Sequence, residues 1–245
     1  MSEQTAQQST PRTALVTGAT RGIGRAIARN LATDHVVFVG GRSAEDVERL
    51  RAELAGVGPG TRPFVADVTD DEQAAAAWAP LREEFGALNV LVHSAGIAPQ
   101  SLVADASREM WEQIFDVNVI SVAQLTRLTL PELRAAQGDV VAINSGSGFT
   151  SRASSALYSG TKFALRAFTD ALREEEREHG VRVASVHPGR VATDMQEQLH
   201  EYMGREYRPE EWIQPEQIAA AVRMAVDAER TSEVEVISVR PSGMR

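Results

Sequence analysis

From Thr13 onward the chain repeats one unit, a short β-branched run followed by a longer stretch with helical periodicity. The runs are TALVT (Thr13 to Thr17), HVVFV (His35 to Val39), RPFVA (Arg62 to Ala66), NVLVH (Asn89 to His93), DVVAIN (Asp139 to Asn144), VRVASV (Val181 to Val186) and EVEVISV (Glu233 to Val239). The first, second, fourth and fifth are almost unbroken apolar sequences, which is how strands covered on both faces read. The segments between them are helical, as in AEDVERLRAEL, where Val47, Leu50 and Leu54 fall on one face. Strand–helix alternation repeated about six times restricts the fold to α/β: a doubly wound parallel sheet of about seven strands with helices on both faces.

Nothing in the sequence divides this sheet. There is no internal repeat, no low-complexity segment and no linker, and GVGPGTRP (Gly56 to Pro63) reads as a turn before the third strand. A single domain over residues 13–245 is expected, after a mobile polar tail at residues 1–12, MSEQTAQQSTPR. That tail lacks the apolar core of a secretory signal. No stretch approaches the roughly 18 apolar residues of a membrane span, so a cytoplasmic protein without a membrane partner is expected. Lys and Arg number 25 against 34 Asp and Glu, a net charge of −9 with no basic run. A nucleic-acid backbone would be repelled, so nucleic acid is not an expected partner. Cysteine is absent, which excludes disulfides, thiolate catalysis and Cys-containing zinc sites. His35, His93, His179, His187 and His200 are scattered without ligand spacing, so no metal is expected.

The first strand runs into TGATRGIG, Thr17 to Gly24, and then into the helical RAIARNLA. Glycine lets backbone approach a ligand closely, and a helix N-terminus offers free N–H groups and partial positive charge. In this strand–turn–helix context the pattern is a pyrophosphate cradle of a Rossmann-like dinucleotide fold, formed by Gly18, Thr20, Arg21, Gly22, Ile23 and Gly24. A chain that takes NAD usually has a carboxylate roughly 20 positions on, for the ribose hydroxyls. Here VGGRS stands there, with Gly40, Gly41 and then Arg42. Arg42 and Arg21 are read as converging on a 2′-phosphate, so NADP(H) is the favoured cofactor and NAD(H) the alternative.

ALYSGTKFAL places Tyr158 and Lys162 one helical turn apart. Alone, the pair reads equally as a snorkelling lysine beside a half-buried tyrosine. The spacing T-G-x-x-x-G-x-G, followed much later by Y-x-x-x-K, resembles the short-chain dehydrogenase/reductase family, and the resemblance runs from about Thr13 to the last strand. It implies further landmarks residue by residue: Asp67 and Val68 against the adenine, Asn118 of DVNV in a helix, and Ser145 of INSGSG, thirteen residues before Tyr158. Pro188, Gly189, Val191 and Thr193 of HPGRVATDM resemble the segment that lies against the nicotinamide. The family's N-N-A-G is HSAG here: Ala95 and Gly96 remain, and His93 and Ser94 replace both asparagines. Ser94 keeps its place among the cofactor contacts. His93 is read as a structural residue, with an acid–base role as the alternative. The double glycine of many relatives near the C-terminus is missing, so oligomer packing through that end is not expected.

The resemblance implies carbonyl–alcohol interconversion by hydride transfer, with Tyr158 as general acid and base. A tyrosine at its ordinary pKa of about 10 is poorly matched to that work near neutral pH. Lowering it by roughly three units takes about 4 kcal/mol. A cation about 4 Å away supplies that much at an effective dielectric near 20. Lys162 is the expected cation and, in the family, also binds the nicotinamide ribose. Ser145 is expected to orient the substrate oxygen, and Asn118 to hold a proton-relaying water.

The rival readings are a catalytically silent dinucleotide-binding regulatory protein and a hydrolase. The chain contains no G-x-S-x-G, nor the T-G-x-x-G-x-x-G of the family's epimerases and dehydratases. The expected partner is a small carbonyl or alcohol, under a lid at about residues 194–214. Met195, Tyr202, Met203, Tyr207 and Trp212 there suit an apolar or ring-bearing substrate or else pack the lid down, and five glutamates argue against a strongly anionic one. Phe163, Ala164, Leu165, Ala167, Phe168, Ala171 and Leu172 cover more than one face of their helix, which points to a homo-oligomer, a dimer or tetramer.

Overall fold

The computed structural model describes residues 11–243. Residues 1–10 of the expected tail lie outside the described residues, and β1 begins at Arg12, one position before the expected domain start. Seven strands form one parallel sheet in the order β3-β2-β1-β4-β5-β6-β7. They are β1 (Arg12–Val16), β2 (His35–Gly41), β3 (Thr61–Val65), β4 (Val90–His93), β5 (Asp139–Ile143), β6 (Arg182–Pro188) and β7 (Val236–Val239). Each expected strand is present within a few residues. The last is shorter than expected, because Glu233 and Glu235 satisfy β6 from a loop: the Glu233 carboxylate accepts from Val183 N–H at 3.0 Å and the Glu235 carbonyl from Ser185 N–H at 2.8 Å.

Eight helices cover the sheet among the described residues: α1 (Gly22–Leu31), α2 (Ala44–Glu53), α3 (Asp71–Phe85), α4 (Arg108–Phe115), α5 (Ser121–Ala136), α6 (Ala156–Glu176), α7 (Asp194–Tyr202) and α8 (Pro215–Val226). The period-two pleat divides the core between two layers. Ala14 and Val16 of β1 join Ile27 of α1, Leu50 of α2 and Val222 of α8. Leu15, between them, joins Trp78 of α3, Leu133 of α5 and Leu172 of α6 on the other face. Val47, Leu50 and Leu54 are buried together, as their spacing required.

The chain leaves β1 toward β2 and β3, then returns to place β4 on the other flank of β1. That reversal opens a crevice at the carboxyl ends of β1 and β4, where open α/β sheets bind ligands. Between α4 and α5 the helix widens into one π-turn, Asp116–Ile120, a device that recurs at functional sites.

Candidate active site

Thr17 joins the two strands that flank the crevice. Its hydroxyl donates to the Val92 carbonyl (3.4 Å) and accepts from the amides of Ser94 and Ala95, both at 3.1 Å. The turn that follows is packed against that same loop. A Cβ on Gly18 (φ +60°) would lie 2.9 Å from Ala95 Cα, and one on Gly24 would lie 2.2 Å from the Gly18 carbonyl oxygen. Only glycine fits either place. Ile23 packs on the core, while the Thr193 methyl faces Gly22 at 3.3 Å from a notional Cβ. Helix α1 starts without a side-chain cap and without an acidic residue in its first turn. Its leading amides are therefore available to an anion, which fits a diphosphate.

At the tip of β2, a Cβ on Gly41 would meet the Thr20 methyl at 2.8 Å, so Thr20 borders the mouth that Arg42 guards. The two arginines expected to converge are drawn apart. The Arg42 guanidinium faces Asp67 at 3.8 Å, and that of Arg21 faces Asp194 at 3.4 Å; Asp67 is half-buried and the other three side chains are largely exposed. Asp67, at the end of β3, accepts from the Thr69 amide and hydroxyl at 3.1 and 2.8 Å. Val68 packs beside it on the second core layer. Gly96 sits against Asn118, whose Oδ1 is 3.2 Å from a notional Cβ there.

Tyr158 and Lys162 come from the first two turns of α6, and Ser145 from the end of β5. The Lys162 ammonium lies 5.6 Å from the Tyr158 ring centroid and donates to the Ile143 carbonyl at 2.8 Å. Burial pushes the Lys162 pKa down to about 8. The tyrosine differs from expectation. Burial raises its pKa, opposed by a hydrogen bond from the Ser145 hydroxyl. The Ser145 hydroxyl accepts from the Ser147 amide at 3.1 Å. It also lies within reach of the Tyr158 phenol.

Asn118 sits in the π-turn, 1% exposed, with its amide fully engaged. Oδ1 accepts from Ile97 N–H at 3.0 Å, and Nδ2 donates to the Ile97 carbonyl at 2.9 Å and to the Thr161 hydroxyl at 3.1 Å. The side chain is a brace between the β4 loop and α6, with both Nδ2 protons given to protein acceptors and one lone pair of Oδ1 still free among the described residues.

Pro188 ends β6, and Gly189 donates to the Val239 carbonyl at 2.7 Å. Val191 is buried and bridged to Ile213, while Thr193 donates to the Val191 carbonyl at 3.3 Å. Gly18, Gly24, Ser94 and Ala95 pack together after β1 and β4, Thr193 faces Gly22, and Arg21 faces Asp194 of α7.

A family model described as short chain dehydrogenase matches residues 12–204. The chain belongs to the short-chain dehydrogenase family. Human dehydrogenase/reductase SDR family member 11 is 31% identical, over 94% of each chain. An alcohol dehydrogenase from the archaeon Thermococcus sibiricus, solved with 5-hydroxy-NADP, superposes with a TM-score of 0.86 at 28% identity, covering 96% of this chain and 98% of that one. Actinorhodin polyketide ketoreductase with NADPH gives a TM-score of 0.87 at 28% identity, covering 94% and 96%.

As a short-chain dehydrogenase the protein departs from the family pattern at His93, and the structure gives the reason. His93 Nε2 lies 2.9 Å from Thr126 Oγ1, whose own proton goes to the Val122 carbonyl at 2.7 Å. Nε2 is therefore the donor, and the ring is neutral; complete burial depresses its pKa to about 3. His93 ties β4 to α5, and the alternative of an acid–base role falls.

Sequence reasoning missed the supports of this dehydrogenase site. His187, fully buried, hydrogen-bonds the Ser145 carbonyl through Nδ1 (2.9 Å) and the Ser185 hydroxyl through Nε2 (2.9 Å), and its ring faces Phe149 at 4.3 Å. Arg240 donates to the His187 carbonyl and lies over Gly146, where a Cβ would be 3.3 Å from Cζ. Only the adjacent Pro188–Gly189 marked His187 in the sequence, and nothing marked Arg240. In the lid, Trp212 and Tyr207 pack on the His200 ring at 5.4 and 5.3 Å, so these aromatics hold the lid down, while Met195 and Tyr202 stay exposed.

Proposed function

We propose that the protein is an NADP(H)-dependent oxidoreductase that interconverts a carbonyl and a secondary alcohol, with Tyr158 as the proton donor and acceptor. The observation that carries this reading is the cluster of Tyr158, Lys162 and Ser145 after β5, at the same carboxyl edge of the sheet as the uncapped N-terminus of α1. Related structures with NADP and NADPH support the cofactor, as does a cation rather than a carboxylate at the tip of β2. When bound, the dinucleotide supplies or takes the hydride. The amides of Gly22, Ile23 and Gly24 would receive its diphosphate, and Arg42 its 2′-phosphate.

Ser145 orients the substrate oxygen, and Tyr158 gives it a proton as charge develops there. The raised pKa of the phenol keeps that proton in place beforehand, which suits reduction. Lys162 has three donors and one carbonyl acceptor among the described residues, leaving two for a ribose and for proton relay. With a pKa of about 8 it still carries its charge at neutral pH, so a buried cation stands by as the phenolate forms. Asn118 keeps the β4 loop and α6 at fixed separation.

A panel of carbonyl compounds with NADPH, followed at the nicotinamide absorbance, tests this. Steady turnover of any member supports it. Bound NADPH without turnover across the panel would leave only the dinucleotide-binding reading. We also propose a homo-oligomer: α6 buries Leu165 and Leu172 but exposes Phe163, Ala167 and Ala171 in one line, a face without cover in one chain. Light scattering at dilute concentration is expected to give a multiple of 26.5 kDa; a single species at that mass overturns the assembly.

A further inference from the structure

Arginine in this acidic chain is usually paired with a carboxylate, as in Arg25–Glu53, Arg62–Glu84, Arg134–Glu176 and Arg223–Asp34. Arg152, Arg190 and Arg205 have no carboxylate within 4.0 Å among the described residues. All three lie at the carboxyl end of the sheet. Arg152 is in the loop between Ser145 and Tyr158, Arg190 directly follows Gly189, and Arg205 follows α7 in the lid.

Contacts tie two of them together. The Arg190 guanidinium lies 5.0 Å over the Trp212 ring, Trp212 packs on His200, and the His200 carbonyl accepts from the backbone N–H of Arg205 at 2.9 Å. Trp212 is 9% exposed, yet its buried indole N–H has no acceptor. Burial lowers the Arg190 pKa, and the charges of Arg152 and Arg205 lower it further, so the three cations share one field. Like charges sharing one field disfavour one another, an anion placed among them relieves that, and the unused buried donor beside them is free for an oxygen acceptor.

The lid glutamates do not supply it. Glu206 pairs with Arg208 at 2.7 Å, Glu211 faces Arg208 at 3.6 Å, and Asp194 faces Arg21. Asp194 and Glu197 instead act on Tyr207, whose pKa they help burial to raise. Counting glutamates along the lid pointed away from an anionic substrate, but two of the five, Glu206 and Glu211, face Arg208 and none lies within 4.0 Å of the three arginines among the described residues.

We infer that the substrate carries an anionic group, a carboxylate or phosphate at the end remote from its carbonyl, received by Arg190 with Arg152 and Arg205 under the lid. This rests on the carbonyl-reductase reading above and adds the substrate class. Arginine suits the task because its planar fork meets an oxyanion with two parallel bonds while its face stays on an aromatic ring.

The test uses methyl-ketone carboxylates of increasing chain length, starting from levulinate, each beside its methyl ester, with NADPH. Wild type is expected to favour an acid over its ester by about ten- to a hundredfold in kcat/KM, the range for a hydrogen bond to a charged group. Arg190→Ala should bring that ratio close to one while leaving ester turnover in place. Arg152→Ala and Arg205→Ala, at exposed positions, should each lower it by a smaller factor and guard against loss of Trp212 packing in the first variant. A ratio near one in wild type, or one unmoved by all three changes, overturns the inference and leaves the reductase reading intact. Failure of every acid and ester to turn over would count against the reductase reading, so binding is read separately by calorimetry on protein saturated with NADP+. Heat from an acid but not its ester, lost in Arg190→Ala, supports the anion site; no heat from any acid overturns it.

Discussion

The two ends of the sheet treat polar groups in opposite ways. At the amino end the charged groups are densely paired within the chain, although His35 Nε2 and Glu132 Oε2 have no partner there among the described residues. Asp139, at the start of β5, accepts from Arg182 at 2.6 Å and lies 3.4 Å from Arg230. Arg182 also donates to the carbonyls of Val226, Ala228 and Ser232. Thr13 and Asn89 exchange backbone and side-chain bonds, with Thr13 N–H on Asn89 Oδ1 at 2.8 Å. At the carboxyl end the matching is looser: α1 begins uncapped, Lys162 has one acceptor, and Arg152, Arg190, Arg205 and Arg240 have no carboxylate within 4.0 Å among the described residues. The same scaffold thus joins a densely paired end that holds the strands in register to an end whose interactions are left for a ligand. Departures from local satisfaction of this kind gather at functional sites.

The contrast can be broken from either side. Tyr158→Phe gives the largest effect expected, a loss of about 10²- to 10⁴-fold in turnover, with the melting temperature unmoved. Near-full activity in that variant would remove Tyr158 from the chemistry. Asp139→Ala is the mirror case. Removing one partner of a buried ion pair costs about 3 kcal/mol, at the low end here because Arg182 keeps its carbonyls. In a chain of this length that is a fall of roughly 6–12 °C in melting temperature. Activity of the folded protein should hold, and an equal loss of activity would mean that the two ends are not separable.

Arg42 sharpens the contrast within the carboxyl end. Arg42→Ala should lower kcat/KM with NADPH by about 10- to 150-fold, the value of one charged hydrogen bond, and barely change it with NADH. Arg42→Asp goes further, since the new carboxylate stands beside Asp67 and repels a phosphate. A cofactor ratio that ignores both changes refutes the assignment.

The smallest effect on activity is expected at His93, which sits at the functional end but behaves like the other. Its pKa is about 3 in the fold against an ordinary 6.5. Between those values the unfolded chain binds a proton that the folded one does not. Stability from this group is therefore complete above about pH 6.5 and lost as pH falls toward 3. Comparing melting temperature against pH for wild type and His93→Asn should show a shallower acid limb in the variant and turnover within a fewfold. Superimposable acid limbs would mean that His93 does not titrate as its burial requires.

The sheet was legible because each strand carries its own burial pattern: Leu15 between Ala14 and Val16 needs no partner to say which layer it faces. The glycine turn and the Tyr158–Lys162 pair were legible because their function demands adjacency in sequence. What escaped was whatever depends on contacts between distant segments. Arg21 and Arg42 are both near the crevice in sequence order, but each is taken by an acid that only the fold brings near. Asn118 was found but its bracing contacts were not, because Ile97, which it bonds, is 21 residues away. Three of the unmatched arginines are 38 and 15 residues apart along the chain (Arg152 to Arg190, and Arg190 to Arg205), and no local pattern joins them.

The π-turn at Asp116–Ile120 makes the position of Asn118 a matter of phase. A wide turn stores one residue more than a regular one, so everything after it on α5 is rotated by about 100° from where an unbroken helix would carry it. Substitutions cannot undo that offset, but deletion of one residue can. The shortened helix would then have to choose. Either α5 keeps Leu125 and Leu133 on the sheet and Asn118 swings off Ile97, or Asn118 keeps its place and an apolar face rolls toward water. A chain shortened there should keep its melting cooperativity and lose turnover in the first case, and lose both in the second. In either outcome the length of one helix, rather than the identity of any side chain, keeps the scaffold and the chemistry aligned.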